Sequence, residues 1–268
     1  MTEQEFLVAL ARALTRREDL LSAELRPQLL EILLRIRQLL LTSFAPAGSA
    51  PLRSFLYAQL RQQILALLQP LINDYYTRIR AALPATYADL LRINATLFNV
   101  PLDRLTAPTL DDLLTTSSVL NRSARALLAP TATGISPLTL QLERLLDTTV
   151  QAAILRDDPV ERISSLLLTG PATRPTIRKG TVANAWLDRL TATTSALLWS
   201  LAVPAQQQVT VEADTPPTAW RWNAILDPKT CPICRPLHNT VQTDYRNFPS
   251  GPPPVHPRCR CIILPVYS

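Results

Sequence analysis

The chain has 268 residues, 47% hydrophobic and 18% charged, which reads as globular and long enough to bury one large core or two ordinary ones. No apolar run reaches the roughly 20 residues that cross a bilayer, and the opening MTEQEFLVALA lacks the basic region of a secretory signal, so neither a membrane span nor export is expected. The net charge of +6 is uneven: residues 1–42 set six Arg against six acids, whereas residues 220–268 carry six basic against two acidic side chains. A basic tail suits contact with nucleic acid or an acidic protein surface, and it also suits a plain solvated face.

In chain order, the first two hundred residues read as helices punctuated by Pro and Gly. Thr2 and Glu5 have the spacing of a capping box, and Leu7, Leu10, Ala11 and Leu14 follow as a helical stripe. A second helix is expected over about 22–43, with Leu29, Leu33, Ile36 and Leu40 on one face. APAGSAP (45–51) breaks it, and PLRSFLYAQLRQQILALLQ begins another with Pro51 in its first turn, where a missing N–H costs nothing. Ser136-Pro137 and Asp158-Pro159 each offer an N-cap oxygen followed by Pro, marking two further starts. Gly170 ends the second of these, and TGPATRPTIRKG (169–180) reads as a basic connector. One more helix is expected over about 181–202, carrying Ala183, Trp186, Leu187, Leu190 and Leu197.

After Pro204 the period changes. QQVTVEA and AWRWNAIL alternate as strands do, with ADTPPT as the turn between them, and the β-branched RCIILPVY is suited to pair with them. Trp220 and Trp222, two apart, share a strand face and read as core cover for this small unit. The fold class expected is mainly α: a multi-helix N-terminal region followed by a small β-rich C-terminal module, α+β overall. The domain division expected is 1–170 helical, 171–204 connector and helix, and 205–268 β-rich module.

All four cysteines and both histidines lie in the last 38 residues. Cys231-Pro-Ile-Cys234 has the two-residue spacer that lets two sulfurs converge on one ion. His256, Cys259 and Cys261 offer the second half-site. A structural zinc site takes four ligands, so these five candidates leave one spare, and the spacing leaves open an all-thiolate site or one of three thiolates and an imidazole. Disulfides lack an obvious compartment here. A redox CxxC lacks its βαβ unit, and a c-type haem site would need His where Arg235 stands. Zinc deaminases need a His-x-Glu pair that the chain lacks. His238 reads as a loop residue, and Asp227 as a turn start rather than a catalytic acid. Arg235, Arg258 and Arg260 flank the cluster, where a guanidinium offsets thiolate charge or contacts phosphate.

Taken together, WRWNAILDPKTCPICRPLHNTV and PPPVHPRCRCIILP resemble the C-terminal signature of the phage minor head proteins, the Mu F-like head morphogenesis family. The pattern falls on Trp222, Asp227, Thr230, Cys231, Cys234, Pro254, His256, Pro257, Cys259, Arg260 and Cys261, and the resemblance covers about 180–268. Asn239 stands where the family often has Gly; Asn is the other residue that best tolerates a left-handed backbone. The resemblance implies a non-enzymatic minor head protein that binds portal, scaffold or major capsid protein during procapsid assembly in the host cytoplasm. It implies retention in the virion head at the portal vertex, a structural zinc, and contact with packaged DNA, with neither a membrane nor a small-molecule substrate as partner. The alternative reading is a zinc module that binds nucleic acid directly.

Overall fold

The computed structural model describes residues 1–115, 137–170, 173, 175–224, 226, 230–256 and 258–267. Its described helices are α1 (Glu3–Phe44), α2 (Ala50–Phe98), α3 (Leu110–Thr115), α4 (Pro137–Leu155), α5 (Val160–Leu167), α6 (Val182–Trp199) and α7 (Ala202–Val211). Three short strands follow: β1 (Ala219–Asn223), β2 (Val241–Gln242) and β3 (Ile262–Val266). The mainly helical N-terminal region and small β-rich C-terminal module expected from the sequence are both present. No helix of the described residues is long and apolar enough to cross a membrane.

The capping box forms as its spacing requires: the Glu5 amide donates to Thr2 Oγ1 at 3.2 Å, and the Thr2 amide donates back to Glu5 Oε2 at 2.7 Å. The two helices expected over residues 2–43 are in fact one, with Pro27 inside it. Pro27 removes one backbone hydrogen bond. The apolar stripe nevertheless runs on through it: Phe6, Leu10, Leu14, Leu21, Leu25, Leu29, Leu33, Ile36, Leu40 and Phe44 are all buried. Burial along one continuous face outweighs one missing bond. α2 likewise continues through Pro70 and Pro84 to Phe98.

By its own packing the chain divides into two compact units. One comprises Met1–Leu20, Ile79–Leu128 and Ala192–Ser268; the other comprises Leu21–Arg78 and Ala129–Thr191. The second unit holds a polar belt inside its helical core. The buried Arg53 donates to the Asp158 carbonyl at 2.8 Å and pairs with Asp157, while Arg61 pairs with the buried Glu143. Trp186 Nε1 donates to the Leu142 carbonyl at 3.0 Å. Asp158 does not cap α5 as its place before Pro159 suggested. Its carboxylate is engaged by Arg156 at 3.0 Å and Arg162 at 3.5 Å, and no side chain of the described residues caps that helix. Two cations outcompete weakly charged amide donors. The Ser136 cap lies outside the described residues.

QQVTVEA is also corrected: its first five residues form the second half of α7 rather than a strand. Alternation put Val209 and Val211 on one face, yet Val209 is fully buried and Val211 is 80% exposed. The buried set is Ala202, Val203, Ala205, Gln206, Val209 and Thr210, a helical spacing. Gln208 fixes this helix within the first unit, donating to the Thr106 carbonyl at 2.8 Å and meeting the Tyr87 hydroxyl at 3.1 Å.

The sheet has order β2-β1-β3 and is antiparallel throughout. β1 alternates as read from the sequence: Trp220 and Trp222 are buried between partly exposed neighbours. β3 pairs along all of β1, from Ala219↔Val266 to Asn223↔Ile262. α7 covers β3. Beneath lies a core of Val203, Trp220, Trp222, Leu237, Phe248 and Ile263, with three of the cysteines among them.

Candidate metal centre

The sheet delivers the two halves of the cysteine cluster to one place. The chain leaves β1, and the Ala224 amide donates to His238 Nδ1 at 3.2 Å. That bond occupies His238 in holding the loop, as its sequence context suggested. The loop closes where the Asn239 amide donates to the Trp222 carbonyl and the Trp222 amide to the Thr240 carbonyl, each at 2.8 Å. Asn239 takes φ +65°, the left-handed conformation anticipated for a residue standing in place of Gly.

Within that loop Cys231-Pro-Ile-Cys234 makes a tight turn. The Cys234 amide donates to Cys231 Sγ at 3.2 Å, and the Arg235 amide to the Cys231 carbonyl at 3.1 Å. The second half is also a turn, in which the Cys259 amide donates to the His256 carbonyl at 3.1 Å. Cys261 sits just ahead of β3. Asp227 and Pro257 lie outside the described residues.

All five candidate donors converge. Cys231 Sγ lies 2.9 Å from His256 Nε2, Cys234 Sγ lies 3.1 Å from the same nitrogen, and Cys234 Sγ lies 3.8 Å from Cys259 Sγ. The donor atoms form two triads, Cys231–Cys234–His256 and Cys234–Cys259–Cys261, each within 4.8 Å and joined through Cys234. Cys234, Cys259 and Cys261 are buried; Cys231 and His256 are partly exposed. All four cysteines are unbridged.

The thiols polarise one another. Burial raises Cys231, but amide hydrogen bonds from Cys234 and Ile233 and the nearby His256 bring it below its ordinary value. Burial, followed by its bond to Cys231, pushes Cys234 up to about 12. Interaction with the Cys261 side chain, together with the amides of Cys261 and Val255, draws Cys259 down to about 5 against its burial. The same interaction with Cys259, and then burial, raises Cys261 well above its ordinary value.

The donor set fits a soft divalent cation. Two sulfurs at about 2.3 Å from a tetrahedral ion stand ~3.8 Å apart, the separation found between Cys234 and Cys259. A cavity of about 20 Å³ opens among Cys231, Cys234, His256 and Cys261, bordered by Thr230, Arg258 and Arg260. That is room for one water-sized particle. The cluster could therefore hold a metal ion.

The three arginines separate in this setting. Arg235 is exposed on the first turn. Arg258 is exposed at φ +62°, and Arg260 is half-buried. Both act electrostatically on Glu18 of α1, which is hydrogen-bonded to Ser195 and whose carboxyl is raised chiefly by burial. Glu18 and Ser195 were missed in the sequence, since no spacing rule links residues more than 170 positions apart. Glu3 makes a second such link, to Arg221 of β1 at 2.5 Å.

No curated protein and no solved structure matches the chain. Residues 172–264, about a third of it, match the family model described as phage Mu protein F like protein. That span contains β1, both cysteine turns and most of β3. It supports the resemblance carried by the signature residues: this stretch of the chain is similar to the phage Mu protein F like proteins.

Proposed function

We propose that the chain is a minor head protein of a tailed phage, a non-catalytic binding component that joins portal, scaffold or major capsid protein during procapsid assembly and stays in the head at the portal vertex. The observation that carries this reading is the coincidence of the Mu F-like match with a closed donor cluster inside the same segment. The ion held there is zinc, by four of Cys231, Cys234, His256, Cys259 and Cys261. When bound, it cross-links the two turns. A three-stranded sheet with one strand of two residues is too small to hold them alone. The chain's own residues do the rest: Trp222 and Phe248 exclude water beneath the cluster, and the amides of Cys234 and Cys259 set the two turns.

Helical surfaces supply the docking faces for the other head components. Arg235, with Arg258 and Arg260 near Glu18, supplies the surface for packaged DNA. The test is co-sedimentation of the full chain with proheads assembled from portal, scaffold and capsid protein of the same phage. Incorporation is expected; exclusion from particles, with salt-sensitive duplex DNA binding in its place, would favour the nucleic-acid module instead.

A further inference from the structure

We propose that the solvent face of the first half of α2 is a self-association surface, on which a second copy of this chain packs its own α2 antiparallel about Gln62. The face belongs wholly to the second compact unit, and nothing in it depends on the metal cluster.

The surface is marked by what it lacks. Between Pro51 and Pro70 the helix holds two charged residues: Arg53 is buried, and Arg61 is paired with Glu143. Every other exposed residue of the stretch is apolar or a side-chain amide. A helix face left to water ordinarily carries charge, as α1 does with Arg12, Arg16, Asp19 and Glu31. Leu52, Phe55, Gln59, Gln62, Ala66 and Pro70 recur at steps of three and four residues. They form one stripe of the helix, about 27 Å long at 1.5 Å per residue. Its apolar weight lies at one end, where Leu52 is 45% and Phe55 59% exposed.

The stripe fits its own reverse. An antiparallel copy turned about Gln62 sets Phe55 on the second copy's Pro70 and Gln59 beside its Ala66, with the two Gln62 side chains together at the axis. Apolar then meets apolar, long meets short, and amide meets amide. A two-fold contact brings each group to its like or to its mirror position, so a charge on the stripe would face the same charge at a cost. A stripe without charge escapes that cost. Amide side chains both donate and accept, so identical ones bond each other, whereas an acidic or basic partner finds no opposite charge here. The strip is one helix wide, about 10 Å, which puts it at the low end of specific interfaces. The pair is therefore reversible and concentration-dependent, with Phe55 as its anchor.

Sedimentation velocity of the full chain, from micromolar to submillimolar concentration, reads the equilibrium. The wild type is expected to pass from monomer to dimer. Gln62→Glu and Gln62→Lys each set like charges together at the axis and should each weaken the dimer about 10-fold or more. An equimolar mixture of the two should recover it as the mixed dimer. Phe55→Ser should weaken it by a similar factor. All three changes fall on exposed positions, and far-UV circular dichroism is expected to match wild type. A chain that stays monomeric throughout overturns the proposal. So does a dimer indifferent to the three variants, or one that the mixture fails to restore. A monomeric wild type whose incorporation into proheads falls with Phe55→Ser would give the face to another head component and overturn it equally.

Discussion

Cys234 and His256, 22 residues apart in the chain, meet with Sγ and Nε2 at 3.1 Å. The contact joins the two turns, and Cys234 also reaches Cys259 at 3.8 Å, so one sulfur of the first turn touches both donors of the second. Removing it separates the turns.

Cys234→Ala is therefore expected to abolish uptake of one zinc per chain, measured by metal analysis after desalting. The loss should appear in the tertiary signals of Trp220 and Trp222, which sit in the core beside the cluster, while far-UV helicity stays near wild type. Chelation of the intact chain should give the same pattern. A variant that keeps both its zinc and its tryptophan spectrum contradicts the placement of Cys234 at the junction.

Trp222 is fully buried, meets Phe248 edge-on at 5.3 Å, and pairs with Ile263 across the sheet. Trp222→Ala should cost about 3–5 kcal/mol, the range for emptying a large aromatic site in a packed core. Among the described residues its Nε1 meets no hydrogen-bond partner, so Trp222→Phe discards an unsatisfied donor along with some packing and should cost clearly less. Urea unfolding of the zinc-loaded chain followed by circular dichroism measures both, and equal losses would count against a dry tryptophan site.

Much of this centre was legible because its information is local. CxxC spacing, the i, i+2 pair Trp220 and Trp222, and a left-handed residue at 239 each depend on a few consecutive positions, and the fold keeps them. What was not legible depends on partners far away. QQVTVEA fits strand and helix periods equally over seven residues, and the packing that buries Val209 and exposes Val211 decides it. The division of residues 2–43 into two helices failed because the buried stripe runs on without a break from Leu14 through Leu21 to Leu25. Asp158 has a cap's position and two arginines that claim it. Glu18 and Ser195 gave no signal because their meaning lies in Arg258 and Arg260, at the other end of the chain.

Glu18 yields a pH prediction. Its carboxyl is raised first by burial, with the charge of Asp19 adding to it, against the Ser195 hydrogen bond and the two arginines, which lower it. A raised acid binds its proton more tightly folded than unfolded, so its contribution is zero at low pH. It turns unfavourable as pH climbs through the ordinary glutamate range near about 4.3, and it is complete above the folded value. Glu18→Gln does not titrate there. The variant should match wild type in acid and gain relative stability across that window, holding the gain at neutral pH. A variant less stable than wild type at pH 7 would show that Arg258 and Arg260 outweigh burial at this site.

In the second unit, Arg61 pairs with Glu143, whose side chain is only 7% exposed, and reaches Asp147 at 3.8 Å. Arg61→Ala leaves the Glu143 carboxylate buried without its donor, a loss of about 1–3 kcal/mol and more for a charged group. Replacing both partners with apolar residues, as in Arg61→Met with Glu143→Leu, removes the stranded charge and should recover most of that loss. Thermal unfolding of the two singles and the double gives the cycle. A double variant as unstable as the sum of the singles would show that the pair is held by its surroundings rather than by its charges.

Asn239 closes the loop between the cysteine turn and β2 with φ +65° and its amide on the Trp222 carbonyl. A β-branched side chain in that conformation brings Cβ against the following carbonyl, at about 1–2 kcal/mol. Asn239→Val should therefore destabilise the module by roughly that much and loosen the Trp222–Thr240 contact, whereas Asn239→Gly, free of that clash, should be neutral or slightly stabilising. Hydrogen exchange at the Trp222 and Asn239 amides reads the effect at its source. Unchanged exchange in the valine variant would mean that the loop can close without the left-handed residue, and the turn would then owe its shape to the metal cluster alone.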